Sequence, residues 1–175
     1  SNQTCWRNIS RFCNIEVLYK NIDFIKEKID WPIFSTRVDD SFLVNTFINY
    51  PWDLEVISED PKRDIKVIEQ LILLQKDTEE DWNWDSLEQR LSSEFVLSHL
   101  DLVNVNLSRY TEDNSDVHNA ILNNIEQRWD WEKIETSFDL DFILYNILAL
   151  AHQLTFDHLF DRVFTDESWA TRYAT

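Results

Sequence analysis

Apolar and polar positions recur along this chain in one phrase of about 25 residues. Aligned on a tryptophan or the residue in its place, the phrase begins at Trp6, Trp31, Leu54, Trp84, Asn104, Trp131 and Phe156. The third residue after each anchor is Ile9, Phe34, Ile57, Leu87, Leu107, Ile134 or Leu159, apolar in every copy. The seventh is mostly apolar as well, as in Cys13, Val38, Leu91 and Phe138. Offsets three and seven share one helix face, so each phrase opens with an amphipathic helix of about two turns. The residue before the anchor is Asp30, Asp53, Asn83, Asp130 or Thr155 in five copies. These side chains accept from the free amides of a first turn, which makes the anchor the first helical residue. One position earlier stands Ile29, Trp52, Trp82, Trp129 or Leu154, spaced from the offset-three residue as a hydrophobic staple.

A second helix follows a break at offset eight, where Asn14, Asp39, Lys62, Ser92 and Asp139 stand. Four of these five can cap a helix start. Beyond the break, Leu18/Ile22, Leu43/Phe47, Val96/Leu100 and Ile143/Ile147 form i,i+4 apolar pairs. The third copy has Lys66 and Gln70 in those positions but keeps Val67, Ile68 and Leu71. In copies five and seven the second helix resumes later, at Val117 and Trp169. The stretches Gln75–Asp81 and Thr111–Asp116 read as loops between helices.

Helices this short are marginal alone in water, so their apolar faces must be covered by neighbouring copies. The expected fold is all-α, an α-solenoid of about seven short helical hairpins filling residues 1–175 as one array. Methionine is absent, also from position 1, which suggests a piece of a longer protein.

The phrases Trp6-Arg7-Asn8-Ile9-Ser10, Trp31-Pro32-Ile33-Phe34-Ser35 and Trp129-Asp130-Trp131-Glu132-Lys133-Ile134 resemble tandem Trp-centred repeats with a W-D-W-x-x-L-S core, found in uncharacterised bacterial and large-virus proteins. The third copy departs with Leu54, the fourth and sixth carry Glu at the serine position, and the fifth lacks the tryptophan. The resemblance implies a helical repeat scaffold and brings no catalytic residues with it.

Composition narrows the function. Glycine is absent, where average usage predicts roughly twelve. That removes phosphate-cradling glycine loops and disfavours hairpin-rich β folds. The net charge is −17, unevenly placed. Residues 1–50 are neutral, residues 51–100 carry net −8 and residues 101–175 net −9. Such a surface repels phosphate backbones, so direct nucleic-acid binding is not expected. The longest apolar run, near Phe142–Ala151, is far short of the roughly 20 residues a bilayer requires. Cys5 and Cys13 are read as reduced thiols of a cytoplasmic protein.

Candidate chemistry is sparse. His99, His118, His152 and His158 include no i,i+4 pair of the kind that holds zinc on a helix. Acidic pairs such as Glu79/Glu80 and Asp139/Asp141 are expected by chance among 33 acidic residues, and read as caps or solvated faces. Ser10, Ser35, Ser58 and Ser108 recur one residue after the apolar offset-three position. They read as small side chains that let adjacent helices approach closely, not as nucleophiles. No cofactor and no enzyme activity is expected. The expected role is a scaffold or protein-interaction module that offers an acidic surface to a basic protein or peptide. Trp52 and Trp129, expected to be partly exposed, and the acidic Asp77, Glu79, Glu80 and Asp81 are the candidate contact residues. Two alternatives are a nucleic-acid mimic that occupies a DNA-binding protein, and the recognition arm of a larger multidomain enzyme or sensor.

Overall fold

The computed structural model describes residues 2–75 and 82–165. Every regular element among the described residues is helical: thirteen α-helices and two 3-10 turns, with no strand. The chain divides into two compact units, residues 1–92 with 101–105, and residues 93–100 with 106–175.

The first unit contains α1 (Asn2–Phe12), α2 (Ile15–Ile25), α3 (Trp31–Ser35), α4 (Asp40–Thr46), α5 (Leu54–Glu59), α6 (Ile65–Leu74) and α7 (Trp84–Glu88). A 3-10 turn, Phe47–Asn49, continues α4. The helices that carry the anchors pack in order, α1 on α3, α3 on α5 and α5 on α7, while α4 packs on α6. Trp31, Leu54 and Trp84 open their helices as the cap pattern predicts. The cap oxygens of Asp30, Asp53 and Asn83 accept from the amides of Ile33, Val56 and Ser86 at 3.2, 3.0 and 3.0 Å. Pro32 sits in the first turn of α3, where its missing N–H breaks no helical hydrogen bond.

The two apolar registers form the core of this unit. Phe34, Ile57 and Leu87 at offset three are essentially sealed from water. So are Leu43, Ile68, Leu71 and Ile72 of the second helices. Each such side chain contributes about 1.5–3 kcal/mol relative to exposure. Asn14 and Asp39 cap α2 and α4 from the predicted break position. Lys62 does not cap α6. Asp64 does so, two residues later, because the third copy carries a longer connection around Pro61.

The second unit contains α8 (Ser93–Ser98), a 3-10 turn at Leu107–Arg109, α9 (Ser115–Asn123), α10 (Trp131–Ser137), α11 (Leu140–Tyr145), α12 (Ile147–Leu150) and α13 (Asp157–Thr165). Here α8 packs on α9, and α10 on α13. Asp130 caps α10 through the Lys133 amide at 3.0 Å. Ile121, Ile134, Phe138 and Ile143 are among its most deeply buried side chains.

The later copies depart from the predicted phrase. Asn104 is exposed and non-helical, and the fifth opening helix shrinks to the 3-10 turn, capped by Asn106. Helix α9 then begins two residues before Val117, at Ser115, inside the expected Thr111–Asp116 loop, because Asn114 caps it there. The sixth second helix breaks at Asn146, whose amide donates back to the Phe142 carbonyl at 2.8 Å. Thr155 does not cap α13. Its hydroxyl turns instead to Glu135, and Phe156 adopts a left-handed φ of 65°, so the helix begins one residue late, at Asp157. Trp169 lies outside the described residues, as does the Gln75–Asp81 stretch beyond Gln75.

Candidate interaction surface

Any surface this chain presents depends on how neighbouring phrases are joined. The recurring serines are part of that joint. Ser10, Ser35 and Ser58 are fully buried. Their hydroxyl oxygens accept from the backbone N–H of the next phrase's cap residue: Asp30, Asp53 and Asn83, at 3.0, 3.0 and 3.2 Å. Each cap residue is therefore bound twice. Its side chain closes its own helix, and its amide is held by the preceding one. Close approach requires a small residue, as expected from sequence. The accepting oxygen adds a directional bond worth about 1 kcal/mol, and its loss would leave a part-buried amide unpaired.

Arginine completes the joint from the opposite end. The last carbonyls of a helix lack intrahelical donors. Arg37 donates to the carbonyls of Ser10 and Cys13, in the preceding phrase. Arg63 donates to Ser35 and Val38 at 3.1 and 3.2 Å, and pairs with Asp40 at 2.5 Å. Arg90 donates to Ser58 and Arg63 at 2.8 and 2.7 Å. In the second unit Arg162 does the same for Glu135 and Phe138. The planar guanidinium fork suits two carbonyls at once. Lys133, a single-point donor, reaches only Ser108, at 3.3 Å.

A second seam joins the later helices. Tyr19, Glu69 and His118 each follow a deeply buried residue; the first two bond the break position of the next phrase, and His118 meets Asp113, which does so. The Asp39 amide donates to the Tyr19 hydroxyl at 3.0 Å, and that hydroxyl donates to the Asp39 carboxylate at 2.8 Å. The Tyr19 ring stacks on Phe42 at 3.7 Å. Burial and the adjacent Asp39 push the Tyr19 pKa up to about 12. The Phe42 amide and the Tyr19 hydroxyl hold the Asp39 carboxyl below its usual range. Ser92 donates to the buried Glu69 at 3.2 Å. His118 stacks on Phe142 at 3.8 Å and meets Asp113 at 2.6 Å, while Asp113 accepts the Asp139 amide at 2.9 Å.

The candidate contact residues fall differently from expectation. Trp52 is only 7% exposed and Trp129 only 4%, which corrects the expectation of partial exposure. The staple position turns them inward. Trp52 stacks on Phe34 at 5.4 Å and meets Trp31 edge-on at 5.2 Å. The Trp129 indole N–H donates to the Asn124 carbonyl at 2.9 Å. Neither offers a partner much surface. Asp77, Glu79, Glu80 and Asp81 lie outside the described residues.

Polar groups with chemical potential are mostly engaged in structure. Among the described residues, no group of three or more His, Cys, Asp or Glu side chains is placed to hold a metal ion. His99 bonds to the Phe95 carbonyl at 2.9 Å, and His152 and His158 are exposed. Cys5 and Cys13 are free thiols. No helix among the described residues is long and apolar enough to cross a membrane. A cavity of about 620 Å³ beside α1 is occupied at its rim by the protein's own charges: Lys28 lies 5.4 Å from the Trp6 ring centre, and Arg7 lies 3.9 Å from Asp30. Compared with protein families, curated proteins and solved structures, the chain matches none.

Proposed function

We propose that this chain is a non-catalytic interaction module: a helical-repeat solenoid of about seven short hairpins that presents an acidic surface to a basic protein or peptide. The observation that carries the reading is the charge distribution. Residues 51–175 hold the whole net charge of −17, while residues 1–50 are neutral. Burial accounts for many of the large apolar and aromatic side chains, although Phe12, Phe24, Ile48, Tyr145 and Leu148 stay exposed, and capping accounts for several of the Asp and Asn side chains. Other carboxylates, among them Glu55, Asp85, Glu94, Asp116 and Glu132, are exposed on helices. Carboxylates on a stacked-helix framework steer a cationic partner and set its orientation more than they add raw affinity. The successive packing of α1, α3, α5 and α7 supports a stack, and the repeated serine–arginine joint supports one unit built several times. The free thiols agree with a reducing, cytoplasmic setting.

The test is retention of basic, neutral and acidic proteins of similar size on the immobilised chain. Basic proteins alone are expected to bind, and binding should fade as the Debye length contracts from about 10 Å at 0.1 M salt to about 3 Å at 1 M. Retention of neutral or acidic proteins, indifferent to salt, would overturn the reading.

A further inference from the structure

The second unit contains a groove of about 490 Å³ between α8 and α9, a volume within the ordinary range of ligand sites. Its floor is apolar: Tyr110, Val117 and Ala120 are buried there, and Leu97 is half-buried. Its rim carries Glu94, Glu112 and Asp116, all exposed, and no lysine or arginine lines it. That sets it apart from the cavity beside α1, where Arg7 and Lys28 balance Glu27 and Asp30.

One wall adds a feature that charge alone does not require. Asn119 and Asn123 are exposed on the same face of α9, one helical turn apart, and both line the groove. Residues four apart on a helix are separated by about 6 Å along its axis. In an extended peptide, residues i and i+2 are about 6.6 Å apart. A carboxamide offers both a donor and an acceptor, which is the complement of a peptide group. The two amides are therefore spaced to engage alternate peptide groups of one extended strand, while the acidic rim faces its side chains.

We propose that the α8–α9 groove binds an extended peptide segment with lysine or arginine at alternate positions, its backbone read by Asn119 and Asn123 and its cations by Glu94, Glu112 and Asp116. This rests on the acidic-module reading above and locates its contact.

The probe is a fluorescein-labelled decapeptide of alternating lysine and serine, titrated with the full chain and read by anisotropy. The wild-type chain is expected to bind it, and about tenfold more weakly on raising salt from 0.1 to 1 M. Glu94→Gln/Glu112→Gln/Asp116→Asn should weaken binding by about tenfold or more. Asn119→Ala/Asn123→Ala should weaken it several-fold with the salt dependence unchanged, since alanine suits an exposed helical position and removes no charge. Circular dichroism checks that each variant stays helical. A control triple neutralisation at Glu126, Glu132 and Asp157, outside the groove, should leave affinity within about twofold. Equal weakening by the control and groove variants would overturn the groove while leaving the acidic-module reading intact. No binding by the wild-type chain to this peptide or to any basic protein would overturn both.

Discussion

Two junctions perform the same task with different chemistry. Between α3 and α5, the Ser35 hydroxyl accepts the Asp53 amide, and Arg63 fills the two carbonyls at the end of the earlier helix. Between α10 and α13, Glu135 stands where serine is expected. It is only 2% exposed, takes the Thr155 hydroxyl on one oxygen at 2.8 Å, and has no partner for the other. The carboxylate captures the threonine that would have capped α13. The chain then enters the helix through a left-handed phenylalanine, a conformation that costs of order 1–3 kcal/mol. The arginine is retained, because Arg162 still holds the carbonyls of Glu135 and Phe138. The carbonyl clasp thus tolerates a changed partner, whereas the amide clasp depends on a small hydroxyl.

The contrast can be broken from the arginine side with the largest effect. Arg63 is buried, and Arg63→Ala would leave two carbonyls and Asp40 without their donor. A loss of about 2–4 kcal/mol is expected in chemical denaturation, because two buried carbonyls lose their donor. A loss under about 1 kcal/mol would mean that water replaces the guanidinium without penalty.

The helix start offers a smaller effect. Asp130→Ala should cost about 0.5–2 kcal/mol, since the carboxylate bonds the Lys133 amide. Thr155→Ala should show no capping loss of this kind, because Thr155 caps nothing. Its effect comes instead through Glu135, whose Oε2 would lose its donor, leaving both carboxylate oxygens without one. Suppressing that effect with Glu135→Gln in the same chain would confirm the coupling, and additive effects would refute it.

The smallest effect concerns acid. The Asp39 carboxyl titrates below its unfolded value of 3.8, so the unfolded chain takes up this proton first. The stability it contributes is complete above that value and is lost as pH falls through the depressed one. Asp39→Asn should therefore differ from wild type at neutral pH and converge with it on acidification below about pH 4. A constant difference across that window would show that the carboxylate's charge is immaterial at this seam.

Much of this architecture was legible in the chain. Asp30, Asp53, Asn83 and Asp130 cap where they were expected, and Phe34, Ile57, Leu87 and Ile134 are buried as the offset-three rule requires. Both are local rules, a side chain reaching its own next turn and one helix face turned inward. The arginines were missed because their carbonyl partners lie 24 to 32 residues earlier in the chain. A signal existed: Arg37, Arg90 and Arg162 all stand six residues after an anchor, at Trp31, Trp84 and Phe156. Serine recurring at one offset signals small size, and only the fold shows that its oxygen accepts a backbone amide. Adjacency to a polar cap suggests solvent for Trp52 and Trp129, whereas a staple points into the core, where both lie. Thr155 failed as a cap because its competitor, Glu135, lies twenty residues away.

The joint itself is open to one direct measurement, amide hydrogen exchange at Asp30, Asp53 and Asn83. Those N–H groups precede their helices, so no intrahelical bond protects them. The serine clasp predicts slow exchange at all three, and predicts that Ser35→Ala accelerates Asp53 while Asp30 and Asn83 keep their rates relative to global opening. If Asp53 exchanged as slowly in Ser35→Ala as in wild type, or if all three amides exchanged at the rate of an open chain, the serine joint would not exist in solution.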